Sequence, residues 1–178
     1  SIGVAVRNKL FDLGVFQSQK SDISTISVGN ITVGGTGKTP HSEYLLSYLS
    51  KRVATAYLSR GYKRSTTGYR VADENSTAVT IGDEAYQIYR KFDNVTVAVD
   101  GNRINALKRL QRHKVVPKVV VLDDAYQHRA LRPDLNILLI DYNRLTYRDS
   151  MLPLGELRES SSNTDRADII VFTKCPDT

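Results

Sequence analysis

Cysteine is almost missing from this sequence. Cys175 stands alone among 178 residues, so no internal disulfide can form, and the composition suits a reducing compartment. Tryptophan is absent, and Tyr and Phe do not interleave with basic residues as a platform for single-stranded nucleic acid would require, so no nucleic-acid partner is expected. No apolar run approaches the roughly 20 residues needed to span a bilayer. No secretory signal is recognisable, because Ser1-Ile2-Gly3-Val4 leads straight into charged positions, and a cytoplasmic setting is the expectation. Internal repeats and low-complexity tracts are missing too; Ser160-Ser161-Ser162-Asn163 is only a polar loop.

What remains is an ordinary globular composition, 40% apolar and 25% charged, with a length that suits one domain and a real core. Lys and Arg total 25 against 19 Asp and Glu, and this surplus of +6 favours anionic partners without choosing among them.

Residues Ile2 to Phe16 read as an amphipathic helix, with Val6, Leu10 and Leu13 near helical spacing. Such a helix could lie on an anionic membrane, but the residues alone rank packing on the domain core ahead. The stretches Ile23–Val28, Val53–Leu58, Val79–Ile81, Val95–Val99, Val119–Leu122, Ile137–Ile140 and Ile169–Phe172 read as short strands. Helices are expected after the glycine-rich stretch, through Tyr86 and Tyr89, and over Arg103–Gln111. Strands apolar throughout and alternating with helices imply an α/β fold with a mainly parallel sheet flanked by helices. Ligands of such sheets bind at the carboxyl ends of the strands. The glycine-rich stretch, Gly82-Asp83, Asp123-Asp124 and Asp141 all fall at that edge.

The stretch Gly34-Gly35-Thr36-Gly37-Lys38-Thr39 lies between an expected strand and an expected helix. A phosphate loop needs backbone N–H groups in a concavity, glycines for close approach and a helix start to favour negative charge. Lys38 supplies a point charge to the terminal phosphates, and the Thr39 hydroxyl can hold Mg²⁺. The usual G-x-x-x-x-G-K-[ST] pattern would place glycine where Thr32 stands, so the loop is a compact, modified one. A glycine turn that merely capped a helix would not call for Gly-Lys-Thr.

Val119 to Leu122 is read as a buried strand that delivers Asp123 and Asp124 beside the phosphate loop, where an acid holds Mg²⁺. Adjacent strand residues point to opposite faces, so the two have different tasks, and Asp124, next to the turn, is assigned to the metal. Asp83 read alone is a helix-start acid; its functional reading is a base for an acceptor hydroxyl. Asp141 is taken as structural. His41, His113 and His128 share no ligand-like spacing, which argues against a zinc site.

Several stretches together resemble the tetraacyldisaccharide 4′-kinases, the lipid A 4′-kinases of Gram-negative bacteria. They are Ser27-Val28-Gly29-Asn30-Ile31-Thr32-Val33 leading into the phosphate loop, Ser59-Arg60-Gly61-Tyr62, Gly82-Asp83-Glu84, Asp123-Asp124-Ala125-Tyr126-Gln127-His128-Arg129 and Leu152-Pro153-Leu154-Gly155-Glu156-Leu157-Arg158-Glu159. The resemblance implies a P-loop kinase that moves the γ-phosphate of ATP, with Mg²⁺, to the 4′-hydroxyl of a tetraacylated glucosamine disaccharide 1-phosphate. It implies the cytoplasmic face of the inner membrane as the place of reaction and no obligate protein partner. It makes Lys38 and Asp83 catalytic. Gly34, Gly35, Thr36, Gly37, Lys38 and Thr39 become the nucleotide-binding residues, and Thr39, Asp124, Glu156 and Asp123 the metal residues. Arg60, Tyr62, Arg103, Gln127 and His128 become contacts to the acceptor or the phosphates.

The resemblance also divides the chain into residues 1–20, a helix at the membrane, and 21–178, the kinase domain, reversing the ranking reached for the helix from its residues alone. Family members are longer, and a second domain supplies a histidine partner to the base, so the chain reads as their first domain. Ala125-Tyr126 and Ala85 are mild departures from the family pattern. The alternative is a GTP- or ATP-dependent P-loop switch or scaffold without transferase activity; a guanine-selective one is the form the sequence can test. It would favour Asn/Thr-Lys-x-Asp near the last strand, whereas Thr173-Lys174-Cys175-Pro176 places Asp177 one position late.

Overall fold

A computed structural model describes residues 2–33, 35–145, 155, 157 and 161–176. The elements in chain order are α1 (Ile2–Asp12), β1 (Ser24–Gly29), α2 (Lys38–Leu49), β2 (Thr55–Ser59), β3 (Arg70–Val71), α3 (Ala78–Ile81), α4 (Asp83–Lys91), β4 (Val95–Val99), α5 (Arg103–Leu110), β5 (Val119–Asp123), β6 (Leu135–Asp141) and β7 (Ile169–Thr173). A 3-10 helix over Ser161–Arg166 precedes β7.

The seven strands form one sheet in the order β3-β4-β2-β5-β1-β6-β7. All pairings are parallel except that of β3 with β4, so the mainly parallel α/β fold expected from the sequence is what forms. Period-2 alternation sorts each strand's side chains onto two faces. On one face Val28, Tyr57, Val97, Val121 and Leu139 pack against Leu46 of α2 and Ile88 of α4. On the other, Ala56, Leu58, Ala98, Val120 and Leu122 pack against Ala106, Leu107 and Leu110 of α5. Both faces are covered, so β2 and β5 carry unbroken buried runs, and β4 is buried but for Thr96. Each fully buried aliphatic side chain contributes about 1.5–3 kcal/mol. Beside β6 a third cluster, with Ile31, Tyr126, Leu138 and Leu157, holds down the segment that follows β5.

Three readings need correction. Val79–Ile81 is no strand but the end of the helical turn α3, started by a reciprocal capping box between Thr77 and Thr80. Arg70–Val71, invisible as a strand because it is only two residues long, pairs at the sheet edge. The first helix stops at Asp12 rather than Phe16, where the amides of Gly14, Val15 and Phe16 turn back to the carbonyls of Phe11 and Leu10. Among the residues whose burial is described, α1 contributes none to the three core clusters. Its Val6 is 54% exposed, as is the following Leu13 at 66%, and polar bonds hold it down. Arg129 donates to Asn8 O at 2.8 Å and to Asp12 Oδ1 at 2.7 Å, while Arg7 donates to Gln127 O at 3.1 Å.

Candidate active site

The carboxyl ends of β1, β2 and β5 open onto a cleft of about 730 Å³ lined by Gly35–Pro40, Ser59–Tyr62, Glu84, Asp123 and Asp124. Helix α2 begins at its floor. Gly37 stands before it with φ +83° and no side chain caps the helix, so the first-turn amides of α2 remain for an anion. Within the loop, Lys38 Nζ donates to Asn30 Oδ1 at 3.3 Å and lies 3.6 Å from Asp124 Oδ1. Gly35, Thr36, Gly37, Lys38 and Thr39 thus come together along one wall of the cleft. Gly34 and Glu156, also assigned from the sequence, lie outside the described residues.

The two adjacent aspartates do diverge. Asp123 ends β5 inside the protein, 7% exposed, whereas Asp124 leaves the strand with φ +47° and reaches the cleft. A non-glycine residue in the left-handed region carries strain, which its amide offsets by donating to Val28 O at 3.0 Å. The Asp123 carboxyl stands at about 6: burial, first, and the charges of Asp124 and Glu84 raise it, while Tyr57 and Lys38 pull it down. Tyr57 Oη and Asp123 Oδ1 both lack a hydrogen-bond partner of good geometry. Burial, first, and the charge of Asp123 hold the Tyr57 hydroxyl well above the ordinary tyrosine range. Among the described residues, no three or more His, Cys, Asp or Glu side chains converge as a metal cage.

Asp83 is the exposed first residue of α4, and its neighbour Glu84 lines the cleft. Gly82 sets that start. With φ +90° its backbone passes so close to the Arg60–Tyr62 turn that an added Cβ would meet Tyr62 O at 3.0 Å and Gly61 C at 3.1 Å. Tyr62 is exposed at the cleft, and Arg60 borders both this cleft and an adjoining hollow of about 460 Å³.

That second hollow is lined by Arg7, Arg60, Gly101, Arg103, Asp124, Gln127 and His128, so Arg60, Arg103, Gln127 and His128 come together as expected, while Tyr62 stays with the first cleft. Arg103 is buried and braces the chain, donating to Asp100 O at 2.8 Å and Asp123 O at 3.3 Å. Gln127 donates to Asn30 O at 2.6 Å, tying the segment after β5 to the end of β1. Burial, then Arg103 and Arg7, depress the His128 imidazole below its ordinary value. Asn30, Arg7, Glu84 and Tyr57 were not singled out from the sequence. Asn30, standing with Gly29 straight after the first strand, and Glu84, in the stretch Gly82-Asp83-Glu84, carried a signal.

The family model for tetraacyldisaccharide-1-P 4′-kinase matches residues 1–178. The tetraacyldisaccharide 4′-kinase of Flavobacterium johnsoniae is 52% identical over 97% of this chain and 51% of its own length. That of Porphyromonas gingivalis is 51% identical over 99% of the chain and 50% of its own length. LpxK from Aquifex aeolicus, solved in complex with ATP, superposes with a TM-score of 0.88 at 37% identity, covering 96% of this chain and 54% of the other. The chain spans about half the length of the curated relatives it matches. By its sequence along the whole length and by its fold, the chain belongs to the tetraacyldisaccharide 4′-kinase family.

Proposed function

We propose that the cleft holds ATP with its γ-phosphate at Lys38 and that the γ-phosphoryl group passes to the 4′-hydroxyl of a tetraacylated glucosamine disaccharide 1-phosphate. The observation that carries the reading is Lys38, held by Asn30 and Asp124 at the foot of an uncapped helix start. A bond forms between the acceptor oxygen and the γ-phosphorus, the bond to the β–γ bridging oxygen breaks, and ADP departs. Lys38 and the α2 amides hold the charge that spreads over the transferred oxygens. Asp83, next to the cleft-lining Glu84, takes the hydroxyl proton, and its exposure lets it pass that proton to solvent.

Mg²⁺ fits this donor set, because Asp123 Oδ1 is buried without a partner beside the cleft-facing Asp124, and both are hard oxygen donors. Thr39 and Asp124, with Asp123 behind them and Glu156 from outside the described residues, would hold it, and when bound it neutralises phosphate charge. The hollow lined by Arg60, Arg103, Gln127 and His128 receives the anionic sugar acceptor, and Tyr62 borders its approach.

No helix among the described residues is long and apolar enough to cross a membrane. Exposed Val6, Leu13, Val15 and Phe16 support a peripheral seat for residues 1–20 on the cytoplasmic face of the inner membrane. The test is to incubate the chain with γ-labelled ATP, Mg²⁺ and tetraacyl disaccharide 1-phosphate in detergent micelles. Its Lys38→Ala variant and the full-length Flavobacterium johnsoniae relative run in parallel. Labelled lipid that vanishes with Lys38→Ala is expected. Label on the lipid from the relative but none from the chain would confine the activity to the longer protein, and a preference for GTP over ATP would overturn the reading.

A further inference from the structure

Strands β2 and β5 are neighbours, and their register sets Tyr57 beside Val121. Side chains two apart on a strand share a face, so Asp123 projects on the same face as Val121 and Tyr57, one step nearer the cleft. Such diagonal neighbours lie about 7–8 Å apart at their Cα atoms, within reach of an aromatic side chain. Tyr57 is fully buried, in a cluster with Leu46, Ile88, Val97 and Val121. A phenylalanine would fill the same space among these apolar neighbours, so the hydroxyl is surplus to packing. A buried hydroxyl without a partner is unfavourable. The Asp123 carboxyl bears directly on the Tyr57 hydroxyl, and its Oδ1 is likewise without a hydrogen-bond partner.

We infer that Tyr57 is a positioning residue for the phosphate cleft: its hydroxyl donates to Asp123 and fixes which carboxylate oxygen faces Lys38 and the cleft. The inference rests on the nucleotide-binding reading of the cleft. Tyr57 serves as the donor, because a phenol O–H gives its proton to a hydrogen bond and a carboxylate oxygen accepts it. Glu84 bears on the same carboxylate with like charge, and Lys38 attracts it from the cleft side. Without the tyrosine bond, Asp123 would be left to the balance of these two. Tyr57 does not touch the reacting atoms; it acts through Asp123.

Calorimetric titration of the chain with ATP, once in Mg²⁺ and once in EDTA, tests the assignment on wild type, Tyr57→Phe, Asp123→Asn and the double variant. Tyr57→Phe is expected to reduce the Mg²⁺-dependent gain in ATP affinity about tenfold, the scale of one hydrogen bond to a charged group. It should leave affinity in EDTA unchanged and cost nothing further in the Asp123→Asn background. Equal loss in both media, or a full Mg²⁺-dependent gain in Tyr57→Phe, would overturn it. A wild-type chain that bound no ATP in either medium would instead remove the nucleotide reading, and this inference with it. Should Tyr57→Phe fold poorly, carbon NMR of labelled tyrosine keeps the question open to decision. The Tyr57 Cζ resonance should move on Asp123→Asn, and an unmoved resonance would refute the contact.

Discussion

The Asn30 side-chain carbonyl accepts from the Lys38 ammonium at 3.3 Å, and Asn30 is itself buried. The amide therefore holds the lysine against the end of β1, in place before any phosphate arrives. Replacing Asn30 with alanine should let Lys38 swing toward Asp124, 3.6 Å away, and partly neutralise it. The expected result is an ATP affinity about three- to tenfold lower, from one charge-assisted hydrogen bond. Lys38→Ala should lose more. Calorimetry on both variants checks the order, and an Asn30→Ala protein as impaired as Lys38→Ala would mean that the asparagine does more than place the lysine.

Asp83 offers a kinetic separation. As a base it acts in the chemical step, so Asp83→Ala should lower kcat at least about a hundredfold while leaving ATP affinity near wild type. The measurement is turnover beside nucleotide titration, made on the chain or on the full-length relative, whichever transfers phosphate. Full turnover would refute the base role and direct attention to Glu84, which lines the cleft one residue further on.

Asp123 makes stability depend on pH in an unusual direction. Its folded pKa, about 6, lies above the ordinary 3.8, so the folded chain binds more protons than the unfolded one between those values. Stability from this group is thus present at low pH and falls as pH rises toward 6, by up to about 3 kcal/mol for a group this deeply buried. In EDTA, Asp123→Asn should remove that slope. Urea midpoints at pH 5 and pH 7.5 for both proteins supply the comparison, and an unchanged slope would show that Asp123 ionises freely.

The opposite sign holds at the far side of the sheet. Lys174 donates to Asp141 Oδ2 at 2.7 Å, and this bond, with the amide of Asn143, keeps the buried Asp141 below its ordinary range. A depressed carboxylate stabilises the fold above its unfolded pKa near 4, and the contribution is lost as pH falls through the folded value. Lys174 is half-exposed, so Lys174→Ala should cost only about 1 kcal/mol at pH 7 and flatten the acid limb of the stability curve. An acid limb identical to wild type would mean that the Asn143 amide alone holds Asp141.

How much of this was legible follows from which physical signals are local. The run Val119–Leu122 closed by Asp123 announced a buried parallel strand because both its faces are covered, and it forms over Val119–Asp123. Lys38 and Thr39 were legible because their spacing from the glycines is itself the chemistry. Val79–Ile81 misled because three β-prone residues were given priority over the Thr77 and Thr80 caps that start a helical turn there. Tyr57 and Arg7 left no local trace. One depends on the register of β2 against β5, and the other on α1 reaching across to Gln127, 120 residues away. Such contacts are set by topology, which no short window contains.

Gly82 joins fold to site most directly, since its close approach to the Arg60–Tyr62 turn places Asp83. Alanine there would face a backbone at φ +90° and ψ 154°, a region essentially reserved for glycine, and a Cβ 3.0 Å from Tyr62 O. The combined penalty should be about 2 kcal/mol or more, lowering Tm by about 4–8 °C in a domain of this size. Gly68 supplies the control. Its φ is +69°, yet a Cβ there would meet nothing within 4 Å, so Gly68→Ala carries the conformational cost without the clash. Thermal unfolding of both variants separates the two effects. If Gly82→Ala melts no lower than Gly68→Ala, close packing does not demand glycine at that position. If it melts lower and also loses turnover while keeping ATP affinity, the position of Asp83 depends on Gly82, as the geometry requires.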